Sequence, residues 1–346
     1  MIFKAAILEK SNSDLVVDNI EFKHNLLPGQ VLVKIFYSGI CGAQINEIQA
    51  VKGPDKFLPH LLGHEGYGEV VEIGELVKTV KPGDKVILHW MPGLGIQSEP
   101  ATYTWKNQLL NAGWVTTLSE YSVVSENRCT QIDTNLKPEF LPLLGCAATT
   151  AVGVLGNDAQ LKLGDSIVIL GTGGVGLLTV EAARASGAYP IIGVDIDKEK
   201  LEIAIQLGAT FGFNANSNNI YDQIKSSLIN SKVDIVIETT GNKEMIELGY
   251  KLISKSGKLI LVGVPKHDET VSIDTLPLHF DSSITGSKGG QSKPHCDIQK
   301  IANLAEKNIF RFDKIPISIF ALDEINNAIS QLLNGLPGRV IIDMSI

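Results

Sequence analysis

Residues 167–195, IVILGTGGVGLLTVEAARASGAYPIIGVD, constrain the fold more than any other stretch of this chain. The apolar run 167–170 passes directly into Gly171-Thr172-Gly173-Gly174-Val175-Gly176. An amphipathic segment follows, then a second apolar run, 191–194, that ends in Asp195. Strand, glycine turn, helix, strand and acid, in that order, is the setting in which G-x-G-x-x-G signifies a dinucleotide site. Gly171 would let the chain turn sharply, Gly173 would let backbone approach a pyrophosphate, and Gly176 would let the helix pack close to the strand. The N–H groups at the helix start, those of Gly174 and Val175 among them, would face the phosphates with a partial positive charge. Asp195 stands nineteen residues after Gly176, where a carboxylate can accept from ribose hydroxyls and repel a 2′-phosphate. The expected cofactor is therefore NAD.

The rest of the chain divides around that unit. Its 346 residues suggest two domains. The first part alternates short apolar runs (3–8, 31–38, 68–73, 85–88, 120–124) with turn signals such as Leu27-Pro28-Gly29-Gln30, which predicts a β-rich, partly open barrel. Residues 91–111, rich in Gly, Pro, Thr and Gln, read as an irregular lobe. Beyond residue 148, strands at 167–170, 191–194, 210–213, 234–237, 258–262 and 282–286 alternate with helices, which predicts a doubly wound parallel sheet of an α/β protein. The tail after Gly290 does not continue that repeat and is expected to return to the first domain. The predicted boundaries are 1–147, 148–288 and 289–346. The apolar strand at 258–265 is expected at the sheet edge, where a bare strand would invite pairing.

Net charge is −8, which argues against a nucleic-acid or anionic-membrane partner, and no apolar run is long enough to span a bilayer. Four scattered cysteines do not make a disulfide scaffold, so a reducing cytoplasm is expected. Three potential zinc ligands lie in the first half: Cys41, His64 and Cys146. Thiolate, imidazole and thiolate make a catalytic zinc set with one position open. Their wide separation makes spacing alone weak support, and at this level buried structural cysteines and a core histidine are the favoured reading.

The blocks SGICG, GHEGYGEVVEIG, VKPGDKV, LGCAATTAVG, ILGTGGVG and VDIDKEKLE, in this order along nearly the whole chain, resemble the zinc-dependent medium-chain alcohol dehydrogenase family. The resemblance implies a GroES-like catalytic domain, a Rossmann domain and a cleft between them. It implies Cys41, His64 and Cys146 as zinc ligands, with Glu65 as a nearby carboxylate that orients or approaches the metal. Thr150 matches a position that contacts the nicotinamide, Arg339 one that contacts the pyrophosphate, and Lys200 one near the adenosine ribose. Trp90 matches a substrate-facing position, flanked by His89 and Met91. The implied chemistry is hydride transfer between NAD(H) and an alcohol or carbonyl, with zinc as Lewis acid on the substrate oxygen.

The chain departs from the family pattern in three places. Residues 91–111 contain no cysteine, so one zinc per chain and no structural zinc is expected. Ala43 stands where the family has a Ser or Thr hydroxyl, and Asn46 where many members have a relay histidine. Ala43 is thereby a pocket residue, with Trp90 and Met91, and the candidates for carrying the proton become Glu65, His60 and His89. Gln44, Asn46 and Glu47 could hydrogen-bond a polyhydroxylated substrate, which keeps a sugar or polyol dehydrogenase open. A zinc-free reductase of the same superfamily and a non-catalytic NAD-binding protein stay open as well. By resemblance the chain is expected to form a homodimer or homotetramer.

Overall fold

Ile167–Leu170 has no exposed surface, as a strand covered on both faces must not. In a computed structural model that describes residues 1–23 and 25–346, it lies inside a six-stranded parallel sheet. Ile191–Asp195 and then Phe211–Asn214 pair on one side of it. Ile235–Glu238, Lys258–Leu261 and Ser283–Gly286 follow on the other. In chain order this is 3-2-1-4-5-6, with the switch point between the first and fourth strands. Lys258–Leu261 is thus an interior strand, contrary to the expectation of an edge. Its apolar residues are covered because the chain adds Ser283–Gly286 outside it, and the polar Ser-Ile-Thr-Gly strand is the open edge.

Helix Gly174–Ala185 packs back on this sheet. A Cβ on Gly176 would lie 1.9 Å from the Gly171 carbonyl oxygen, so no side chain fits where helix and strand meet. This sheet and its helices belong to a compact unit of Thr150–Ser292 and Ile309–Pro316.

The other unit comprises Met1–Thr149, Lys293–Asn308 and Ile317–Ile346. Ile2–Leu8, Val16–Glu21, Thr102–Trp105, Gln108–Asn111 and His60–Leu61 close into a small barrel. Residues 91–111, expected to be irregular, therefore contain a hairpin. It turns on Lys106 and Asn107, both at positive φ (49° and 61°), the backbone that two-residue hairpin turns require. Tyr103, Trp105 and Leu110 point into the barrel core while Leu109 is exposed. A seven-stranded sheet runs Cys129–Gln131, Lys85–His89, Glu65–Ile73, Gln30–Ile40, Arg339–Asp343, Ile317–Ala321, with Tyr121–Ser125 also paired to Gln30–Ile40. The C-terminal strand Arg339–Asp343 thus inserts antiparallel beside Gln30–Ile40, and this pairing carries Arg339 to the site described next. Among the described residues no single helix is long and apolar enough to cross a membrane.

Candidate active site

Three separate turns of the first unit deliver three ligand-type side chains to one point. Cys41 caps helix Gly42–Ile48 at the end of strand Gln30–Ile40. His64 immediately precedes strand Glu65–Ile73. Cys146 links the short helix Pro138–Gly145 to helix Ala147–Gly153. Glycines beside both cysteines permit the approach. A Cβ on Gly39 would lie 2.8 Å from the Glu65 carboxyl carbon, and one on Gly145 would lie 2.3 Å from the Leu88 carbonyl oxygen and 3.1 Å from Glu65 Cα. One ligand atom from each of Cys41, His64 and Cys146 lies within 4.8 Å of the others.

The electrostatics of the cluster suit a cation. Cys41 and Cys146 are hydrogen-bonded to each other. That bond, with help from His64 and Arg339, pulls the Cys41 thiol well below its ordinary range against the effect of burial. The same bond, then burial, pushes Cys146 well above its own. Burial alone would lower the His64 imidazole; Cys41 and Glu65 outweigh it and raise it. Two soft sulfurs and an imidazole are a donor set that fits zinc.

Glu65 has no exposed surface, and its Oε1 accepts from the guanidinium of Arg339, itself 4% exposed. Burial raises the Glu65 carboxyl against the pull of Arg339. Burial works against the charge of Arg339, but Glu65, Cys41 and Cys146 outweigh it and raise that group above its usual range. Glu65 Oε2 and Arg339 Nε are buried without a hydrogen-bond partner in the chain. Arg339, assigned to a pyrophosphate by resemblance, is here the counter-charge of Glu65 beside the two cysteines.

The other proton-carrier candidates do not present a free nitrogen. His89 Nδ1 donates to the Met91 carbonyl (2.7 Å), and its Nε2 accepts from the Thr130 hydroxyl (2.8 Å). Burial pushes this imidazole down to about 4, so it is neutral and structural. His60 Nδ1 meets Leu61 O and its Nε2 meets Asp55 Oδ2, both at 2.8 Å. Every ring nitrogen of these two histidines is thus engaged within the first unit. Ala43 is exposed on helix Gly42–Ile48, and Trp90 and Met91 are half-buried. The Trp90 carbonyl accepts from Arg128, which also lies over the ring of Trp114.

The sequence suggests Gln44 as a hydrogen-bond partner for a polyhydroxylated substrate. In the fold it is 1% exposed, its Oε1 accepts from Cys41 N–H (2.9 Å), and its Nε2 meets His64 Nδ1. Its place three residues after a helix-capping position was the signal available in the sequence.

In the second unit the glycine turn is held by Asp195. Its Oδ2 accepts from Thr172 N–H (2.7 Å) and the Thr172 hydroxyl (3.2 Å), and its Oδ1 from Asp197 N–H (3.0 Å). A Cβ on Gly173 would meet no protein atom within 4 Å. Packing does not demand glycine there, and the open space suits a ligand's close approach. Gly174 and Val175 open helix Gly174–Ala185, with their N–H groups in its first turn. Lys200 is half-buried on helix Lys198–Leu207, and Thr150 is buried on helix Ala147–Gly153.

Comparison with known proteins agrees with both units. Residues 27–134 match the family described as alcohol dehydrogenase GroES-like domain, and residues 174–307 that described as zinc-binding dehydrogenase. The chain is 29% identical to S-(hydroxymethyl)glutathione dehydrogenase of Escherichia coli O1:K1, over 91% of this chain and 92% of the relative. Among solved structures it is similar to an alcohol dehydrogenase zinc-binding domain protein from Burkholderia ambifaria (TM-score 0.92, 24% identity). It is also similar to benzyl alcohol dehydrogenase from Acinetobacter calcoaceticus (TM-score 0.90, 26% identity). Each of these two matches covers 100% of both chains.

Proposed function

Because the chain belongs to the zinc-binding medium-chain alcohol dehydrogenase family, we propose that it interconverts a small alcohol and its carbonyl with NAD(H) and one zinc ion per chain. The observation that carries this reading is the convergence of Cys41, His64 and Cys146 from distant parts of the sequence. Zinc would supply Lewis acidity toward the substrate oxygen, and nicotinamide the hydride chemistry.

The residues divide the remaining work. Cys41 and Cys146 would hold a divalent ion as thiolates and so cancel its charge. Arg339 balances Glu65, so the surroundings of the ligands add little net charge. Arg339 is proposed to serve the pyrophosphate as well, with Glu65 fixing its guanidinium. Asp195 keeps the glycine turn in shape and selects an unphosphorylated ribose. Ala43, Trp90 and Met91 are the proposed pocket residues.

A non-catalytic NAD-binding protein is the second reading. Ala43 and Asn46 favour it, as does the commitment of His60 and His89 to structural bonds. The sugar or polyol variant has lost one support, since Gln44 is buried at the ligands.

A single experiment separates these. Protein purified without chelator is assayed for zinc, then for nicotinamide absorbance change with benzyl alcohol, S-(hydroxymethyl)glutathione and a polyol series. Zinc near one per chain with turnover of any of these supports the proposal, and the preferred substrate defines its class. NADH binding with no turnover across the panel selects the non-catalytic reading.

The proposed homodimer or homotetramer has an open edge at Ser283–Gly286, preceded by exposed Leu276 and Phe280 (62% and 52%). Light scattering after size exclusion measures the subunit number. The cytoplasm is the proposed compartment, from the free cysteines.

A further inference from the structure

Resting on the metal reading above, we propose that Gln44 holds down the affinity of the Cys41–His64–Cys146 site, because its one amide cannot serve both neighbours once a metal is bound. Gln44 lies in the interior, 1% exposed, between the backbone of one ligand and the ring of another. Its Oε1 accepts from Cys41 N–H at 2.9 Å, the bond that caps helix Gly42–Ile48. That fixes the amide's orientation and turns its NH2 toward His64 Nδ1.

An NH2 group can only donate, so in this arrangement Nδ1 must offer a lone pair. With Nδ1 against Gln44, Nε2 is the ring nitrogen left for a metal. A metal at Nε2 would need the lone pair of that nitrogen, so the neutral ring's one proton would move from Nε2 to Nδ1, where it needs an acceptor. The amide then has two choices. It can stay, and set NH2 against N–H at His64. Or it can turn over, offer Oε1 to Nδ1–H, and set its NH2 against Cys41 N–H. Either way, one buried donor loses its acceptor when the metal arrives. A carboxylate of the same shape has no such conflict, since each oxygen accepts from one neighbour.

The test is zinc affinity, measured by chelator competition on full-length wild type, Gln44→Glu and Gln44→Met. Gln44→Glu is expected to bind zinc about 10–100-fold more tightly than wild type. Gln44→Met keeps the volume and removes both bonds, and is expected to bind within about threefold of wild type, since the amide gives no net support. Gln44→Glu binding no tighter than wild type, or Gln44→Met binding tenfold or more weakly, overturns the inference. If the glutamate variant does not fold, the methionine variant decides alone. Cys146→Ala separates the two layers: zinc binding that survives it refutes the metal reading itself. Zinc binding that is lost with Cys146→Ala but indifferent to Gln44→Glu refutes only the role of Gln44.

Discussion

Replacing Arg339 by methionine is predicted to destabilise the first unit severely in metal-free protein. Arg339 is 4% exposed and Glu65 has no exposed surface, so both charges of the pair are out of water. Removing the guanidinium leaves a buried carboxylate next to the Cys41–Cys146 pair, with its Oε2 already lacking a donor. Breaking one side of a buried pair costs about 3–5 kcal/mol, whereas replacing both charges with neutral groups is often close to neutral. At a urea slope near 2–3 kcal/mol per molar, that cost shifts the unfolding midpoint by roughly 1–2.5 M. The assay is selective, because the three tryptophans, Trp90, Trp105 and Trp114, all lie in the first unit and their fluorescence reports its unfolding alone. The double variant Glu65→Gln/Arg339→Met is expected to recover most of the loss. A shift below about 0.3 M for Arg339→Met, under ~1 kcal/mol at that slope, refutes the reasoning. A double variant as unstable as the single one does the same.

Three more residues carry predictions of their own. His89 is buried neutral with its value lowered from 6.5 to about 4, so the stability it contributes is complete above pH 6.5 and is lost as pH falls toward 4. The full swing is about 3 kcal/mol, and His89→Gln, which can keep both hydrogen bonds, should flatten the pH dependence of the urea midpoint between those values; an unchanged slope contradicts the assignment. Gly176→Ala puts a Cβ 1.9 Å from the Gly171 carbonyl, so NADH binding followed by fluorescence should weaken at least tenfold; near-wild-type affinity would show that the turn adjusts freely. NADH should bind at least tenfold more tightly than NADPH, about 1.4 kcal/mol, and Asp195→Ser should narrow that ratio; equal binding of the two by wild type contradicts the role of Asp195.

The second unit was largely legible because its signals are local. Apolar runs, a glycine turn and a terminal acid sit within thirty residues, and its strands fell within a residue or so of their expected places. The misplaced edge strand is instructive: a strand at 282–286 was legible, but its order in the sheet was not, and Lys258–Leu261, the more apolar of the two, turns out to be interior because Ser283–Gly286 pairs outside it. The hairpin in residues 91–111 was hidden because Lys106-Asn107 adopts positive φ without the glycine that usually marks such a turn. In the site, the ligand residue types were readable but their convergence was not, since three turns and two close-packed glycines bring them together only in the fold. The partners of His60 and His89 and the burial of Gln44 depend on contacts across strands and turns, which no single-residue pattern carries.

Zinc-edge X-ray absorption on the metal-loaded protein tests the central claim most directly. The account predicts two sulfur neighbours at about 2.3 Å and one imidazole nitrogen at about 2.0–2.1 Å, with one sulfur lost in Cys146→Ala. A shell of oxygen and nitrogen only, or a spectrum unchanged by that substitution, would contradict it.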